Sequence, residues 1–242
     1  MTESLSTLDF INGLFSLLVI SIAAIIGLTI ALKYLKFKRK LYLYWGIAYI
    51  GFYSPWWSSA FSFVSYWFTG NPLPLPLYIG VGILLLPLLI TLWFLGFTEM
   101  IYQNRRRLLI LIYLIITISF DLYVIYFLID NATVLGNKTG IFDIKYSLIV
   151  TAYFMLINIT VTITGLLFAK QSFKSEEKEL RFKGKALIVA FLTYPICGIF
   201  DAGLDLNEIW LIVIRSLLMF GAIMFYIGFF IPKFVKKIFN LD

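Results

Sequence analysis

The sequence predicts an all-α fold, a single membrane domain made of seven transmembrane helices over residues 1–242, and three observations predict it. The first is composition. Of 242 residues, 61% are hydrophobic, 19% aromatic and only 14% charged, against roughly 45–50% apolar and about 25% charged in an ordinary soluble domain. One soluble core cannot hide that surplus of Leu, Ile and Phe from water. The second is a series of seven apolar runs, almost free of Lys, Arg, Asp and Glu, each long enough for a bilayer core about 30 Å thick, which takes about 20 residues at 1.5 Å each. The third is the lopsided placement of the basic residues between those runs.

The runs lie near Leu8 to Leu32, Leu41 to Phe68, Leu77 to Thr98, Leu108 to Ile129, Ser147 to Ala169, Ala186 to Leu204 and Ile209 to Ile231. The first resembles a secretory signal only superficially. The segment before it has no Lys or Arg and carries Glu3 and Asp9, and the run ends in Lys33, Lys36, Lys38, Arg39 and Lys40, so it reads as a retained helix with its basic end in the cytoplasm. The second run has Tyr42, Tyr44 and Trp45 at one end and Tyr66 and Trp67 at the other, and Trp210 opens the seventh; amphipathic rings there suit the headgroup interface. Prolines interrupt the second (Pro55), third (Pro87) and sixth (Pro195) runs.

Arg105, Arg106 and Arg107 follow the third run, six basic residues between Lys170 and Lys185 follow the fifth, and Lys233, Lys236 and Lys237 follow the seventh. With the five after the first run they place 17 of the 20 basic residues on one side. Only Lys138 and Lys145 lie on the other, and Arg215 is inside the seventh run. The N-terminus is therefore expected outside and the C-terminus inside a cell membrane. The net charge of +7 follows from this asymmetry and from contact with anionic lipid, and calls for no nucleic acid. The segment Lys174 to Lys185, with Glu176, Glu177 and Glu179 interspersed, reads as a cytoplasmic extension of the flanking helices.

Catalysis finds little support. There is no His, and Cys197 is the only cysteine, which excludes His-based chemistry, Cys/His metal sites and an intrachain disulfide. No phosphate-binding glycine loop or nucleophile elbow is present. Ala202-Gly203-Leu204-Asp205 has a partial likeness to the Gly-x-Gly-Asp motif of membrane aspartyl proteases, but the second glycine is missing and no second aspartate lies at matching depth. The expectation is a protein that is not an enzyme and has no resident metal.

Runs one to three and five to seven share direction in pairs, which suggests a three-helix unit repeated around the fourth. Gly27 answers Gly165, Pro55 answers Pro195, and Trp93-Phe94-Leu95-Gly96-Phe97 answers Phe225-Tyr226-Ile227-Gly228-Phe229. Seven helices, an outside N-terminus and these prolines resemble the layout of the microbial rhodopsins. The resemblance implies a rhodopsin-like scaffold without the family's chromophore, because Ser216 to Tyr226 lacks the lysine that forms the retinal Schiff base and Leu77 to Thr98 has no acidic counter-ion. No cofactor is expected. The pattern is also similar to uncharacterised seven-helix archaeal membrane proteins.

Ionisable residues at bilayer depth need a partner, water or a function. Asp121, eight residues inside its span, lies about 12 Å deep, and Arg215, six residues inside its own, about 9 Å deep. Asp201 sits near the same outer end, with Asp205 and Glu208 at the turn that follows, and Glu99 pairs with the Arg105 to Arg107 cluster. Arg215 keeps its proton and so requires Asp201, Asp121 or both. Helical spacing puts Tyr113, Thr117 and Asp121 on one face, Thr151, Asn158 and Thr162 on another, and Tyr194, Asp201 and Asp205 on a third. Asn12, Ser16, Ser59 and Ser62 add a polar set at the outer end, either as links between helices or as pocket lining. Trp45, Tyr49, Tyr53 and Trp56 form a stripe expected to pack. Small-residue pairs, Gly198 with Ala202 and Gly221 with Gly228, permit close helix contact.

These residues give a ligand-binding or ion-pair set of Asp121, Asp201, Arg215, Asn158 and Thr117, with hinges at Pro55 and Pro195. The function expected is a receptor-like or sensor-like protein with an outward-facing polar cavity for a small or lipidic ligand, signalling to a cytoplasmic partner at the inner basic loops. A small-solute or ion transporter and a non-catalytic scaffold are the alternatives. Asn131-Ala132-Thr133 and Asn137-Lys138-Thr139 are glycan acceptor sequences in the longest outer loop.

Overall fold

A computed structural model describes residues 5–101, 103–203 and 206–241. Glu3, Leu204 and Asp205 lie outside the described residues, as does the side chain of Ala202, and with them the aspartyl-protease likeness and the Gly198 and Ala202 pair. The described chain is helical apart from one hairpin. Its elements are α1 (Thr7–Phe37), α2 (Lys40–Phe52), α3 (Trp57–Thr69), α4 (Leu75–Ile83), α5 (Leu86–Met100), α6 (Arg106–Asp130), β1 (Gly136–Gly140), β2 (Asp143–Tyr146), α7 (Leu148–Phe173), α8 (Lys178–Gly203), α9 (Glu208–Phe229) and α10 (Lys233–Phe239).

Among the described residues, six helical segments are long and apolar enough to cross a membrane: Thr7–Phe37, Leu75–Met100, Gln103–Asp130, Leu148–Phe173, Lys178–Asp201 and Glu208–Phe229. The chain is a helical, multi-pass membrane protein. The expected run from Leu41 to Phe68 differs from these six because it is two 13-residue helices, α2 and α3, joined through a single 3-10 turn at Ser54–Trp56. Pro55 lies in that break, where it has no N–H to give and its ring crowds the carbonyl one turn earlier. Pro87 acts likewise, since α4 ends at Ile83 and α5 begins at Leu86 with the proline in its first turn, where a missing donor costs nothing. Pro195, by contrast, lies inside an uninterrupted α8.

The ends of α1 and α3 are set by local chemistry. Ser6 caps α1, its hydroxyl accepting from the Asp9 amide at 3.0 Å. The helix stops where Lys38 turns left-handed (φ 54°), and α3 stops at Gly70 (φ 72°), where only a residue without Cβ enters that region at no cost.

The chain divides into two compact units. One is Met1–Phe154 with Leu206–Ile212, the other Met155–Asp205 with Val213–Asp242. In the first, α1 and α2 meet backbone to backbone. A methyl on Gly46 would strike the Gly27 carbonyl and the Ala31 amide, and one on Gly27 would strike the Gly46 carbonyl. Trp45 packs inward between Gly96 and Trp93, with ring centroids 5.7 Å apart, and is 4% exposed, so it belongs to the core and not to the expected interfacial belt. Tyr49, Tyr53 and Trp56 are also buried and touch one another, which makes the stripe packing. Trp67 and Trp210 are exposed, as interfacial rings should be.

The second unit is built on α8. Antiparallel to it lies α9, with Leu187 against Gly228, Phe191 against Phe225 and Thr193 against Gly221. Antiparallel on another side lies α7, with Phe173 against Gly184, Gly165 against Phe191 and Asn158 against Gly198. Gly221 and Gly228 are thus taken up by contacts within this unit. The short α10 is fastened to the start of α8 by Lys236 to Glu179 and by the Phe239 and Phe182 rings.

Candidate functional site

Arg215 and Asp201 find each other. Their side chains form an ion pair at 3.2 Å between Nη2 and Oδ1, with the Arg215 side chain 4% exposed and that of Asp201 20%. The reason is local: only four residues separate α8 from α9, and the antiparallel register that sets Leu187 on Gly228 carries Asp201 to Arg215. Asp201 lies six residues beyond Pro195 on α8, so this carboxylate fastens the far end of the proline-bearing helix to α9. At the other end Glu179 pairs with Lys183 and Lys236. Glu99 pairs with Arg106 at 3.3 Å, both partly exposed, as expected of a surface pair.

Asp121 belongs to the first unit. It stands on α6 at the edge of a buried stripe of Tyr113, Thr117, Phe120 and Val124, beside the exposed Ile118, Leu122 and Ile125. The Thr117 hydroxyl donates to the Leu114 carbonyl at 3.1 Å and is satisfied within its own helix. The other polar atoms here are not. The Oδ1 of Asp121 and the phenolic oxygens of Tyr113 and Tyr153 are buried and have no hydrogen-bond partner among the described residues. Tyr153 was not anticipated from the sequence. It stacks on Phe120, the neighbour of Asp121, with centroids 3.6 Å apart. Tyr113 in turn stacks on Phe94 of α5 at 4.8 Å. The signal for Tyr153 was faint, because it lies two residues after Thr151 and so falls off the polar stripe of its own helix.

Of that stripe on α7, Thr162 is satisfied within its own helix, as are two threonines beside it. Thr162 donates to the Asn158 carbonyl at 2.6 Å, and Thr160 and Thr164 likewise donate one turn back. Asn158 faces Gly198, and its Oδ1 is buried without a partner. The residues Asn12, Ser59 and Ser62 hold loops. Asn12 donates to the carbonyl of Phe142 at 3.0 Å, Ser59 bonds the Tyr78 hydroxyl at 2.8 Å, and Ser62 accepts from the Leu73 amide at 3.1 Å. Ser16 reaches Asn12. This set anchors the β1/β2 hairpin and the α3–α4 loop. Pro55 is a true break between α2 and α3.

Comparison with protein family models and with curated proteins finds no match to this chain.

Proposed function

We propose that this chain is a receptor-like or sensor-like membrane protein, and that the face of α6 bearing Tyr113, Thr117 and Asp121, with Tyr153, is its ligand site. The observation that carries the reading is the set of three buried, unpartnered polar atoms at bilayer depth, on Asp121, Tyr113 and Tyr153. Leaving such atoms unpaired costs about 1–3 kcal/mol each, more for a charge, so a ligand with matching groups gains what the fold forgoes. Arg215 and Asp201 take a different part. They hold each other and pin the arm of α8 beyond Pro195, so release or shift of that arm is the route to the inner end, where Glu179 holds α10.

The topology proposed with this function has seven passes, the broken α2–α3 segment being the seventh, with the N-terminus outside and a rhodopsin-like layout that lacks the retinal lysine. The distribution of basic residues supports the orientation. No enzyme activity and no cofactor enter this reading.

The test is co-purification. Parent protein and Asp121→Asn are extracted in parallel, and their bound small molecules are compared by mass spectrometry. A compound retained by the parent and depleted in Asp121→Asn is expected; identical profiles containing bulk phospholipid alone would remove the ligand site and leave a scaffold.

A second reading, a small-solute or ion transporter, draws support from the suspected repeat. Gly27 and Gly165 each take a close contact from the next span, and Gly96 and Gly228 each take one near the basic end of that same span, from Trp45 and Leu187. Uptake into proteoliposomes distinguishes it, since a sensor gives no flux.

A further inference from the structure

We infer that the Asp121 site takes a membrane-soluble ammonium ion, an amphiphilic primary amine that enters sideways from the bilayer. This rests on the ligand-site reading above and names its ligand class. Four observations lead there. The site contains a carboxylate at depth, and α6 supplies no cation to it, because Leu108 to Ile129 contains no Lys or Arg. One carboxylate oxygen is buried without a partner, and a protonated amine, a donor with three N–H groups and one positive charge, matches it by charge and by hydrogen bonding.

The Tyr153 side chain, 7% exposed and stacked on Phe120 next to Asp121, brings a phenolic oxygen that is also unpartnered and can accept a remaining N–H group. Finally, Asp121 is only partly covered, and its open side is bordered by Ile118, Leu122 and Ile125, which are 54%, 63% and 44% exposed. An alkyl chain lying on these residues stays in the hydrocarbon while its headgroup reaches the carboxylate. A neutral lipid brings no positive charge to hold the Asp121 acid in its ionised form, and an anion disfavours that form.

The experiment uses the full chain in phosphatidylcholine nanodiscs, with empty nanodiscs subtracted for partitioning, and measures binding of radiolabelled dodecylamine with dodecanol and butylamine as competitors. Saturable binding is expected, weakened at least about tenfold in Asp121→Asn and little changed in Asp121→Glu, with dodecanol not competing and butylamine competing poorly. Tyr153→Phe, which keeps the ring and loses the phenol, is expected to weaken binding about threefold and serves if Asp121→Asn does not fold. Equal competition by dodecanol and dodecylamine, undiminished binding by Asp121→Asn, or no saturable binding would overturn the proposal. Dodecanol binding that depends on Asp121 overturns the cation alone and leaves the ligand site standing, whereas the co-purification comparison decides that site separately.

Discussion

The side-chain amide of Asn12, in the second turn of α1, donates to the backbone carbonyl of Phe142, 130 residues later in the hairpin, at 3.0 Å. The same carbonyl accepts from the Tyr78 hydroxyl at 2.9 Å, while the Phe142 ring, fully buried, meets Phe63 and Tyr66 edge-on. Asp9 adds a bond from the Ile141 amide at 3.0 Å. The hairpin is thereby docked onto α1, α3 and α4 by its turn, and its strand residues Lys138 and Tyr146 add contacts at Leu73, Tyr78 and Gly82.

Phe142→Ala is expected to cost about 3–5 kcal/mol, the range for emptying a buried aromatic site. Tyr78→Phe leaves the Phe142 carbonyl its bond from Asn12 and is expected to cost only about 1 kcal/mol. Thermal unfolding in detergent checks both, and limited proteolysis between Ala132 and Tyr146 shows whether the hairpin has come loose. Equal, small effects from both changes would mean that the dock is incidental.

The α1–α2 crossing makes a second prediction. At Gly46 and Gly27 an added methyl meets backbone atoms, which cannot rotate away, so either Gly→Ala change is expected to destabilise by about 1–3 kcal/mol. Gly80 is the control: its added methyl meets only the Leu84 and Leu128 side chains, at 3.6 and 3.7 Å, and alanine improves helix propensity by up to about 1 kcal/mol. Melting temperatures of the three alanine variants should fall for Gly27 and Gly46 and hold or rise for Gly80.

Spans were legible because hydropathy acts over some twenty residues and tolerates local detail; six appear as uninterrupted or near-uninterrupted helices. The break at Pro55 was signalled by the proline itself, yet Pro195 carries the same signal and α8 continues through it, so the residue alone does not decide. Arg215 and Asp201 were readable as a pair, since a short turn fixes the register of antiparallel neighbours. Asn12 was readable as polar but not as the holder of Phe142, because that contact spans 130 residues and pairs a side chain with a backbone atom. Trp45 was misread for a related reason: composition places aromatic rings near span ends, but only the close approach at Gly96 shows which way a ring points.

Breaking the Arg215 and Asp201 pair on one side strands a charge. Asp201→Asn or Arg215→Met alone is expected to cost about 3–5 kcal/mol, and the double variant to recover most of the loss, as buried pairs replaced by neutral groups commonly do. Denaturant or thermal unfolding of the two single variants and the double variant gives the coupling directly. Additive losses, with no recovery in the double variant, would show that the two side chains do not depend on each other.

The hairpin also carries two titrating groups whose effects on stability oppose each other. Lys138 donates to the Leu73 carbonyl at 2.6 Å and lies over the Tyr78 ring, and burial holds its pKa below the ordinary lysine value. Just below that ordinary value the unfolded chain keeps more protons than the folded one, so stability rises with pH there and the penalty for burying the charged amine disappears above it. Tyr146 behaves in the opposite sense. Burial above all raises its pKa, the neighbouring Ser58 hydroxyl opposes this, and the charge of Asp143 adds to it. The folded phenol therefore keeps its proton after the unfolded one has begun to ionise, and stability falls as pH climbs past the ordinary tyrosine value. Unfolding measured from neutral to strongly alkaline pH should separate the two. Lys138→Met is expected to flatten the rise and Tyr146→Phe to remove the fall; a parental slope retained in both variants would assign the alkaline dependence to groups elsewhere.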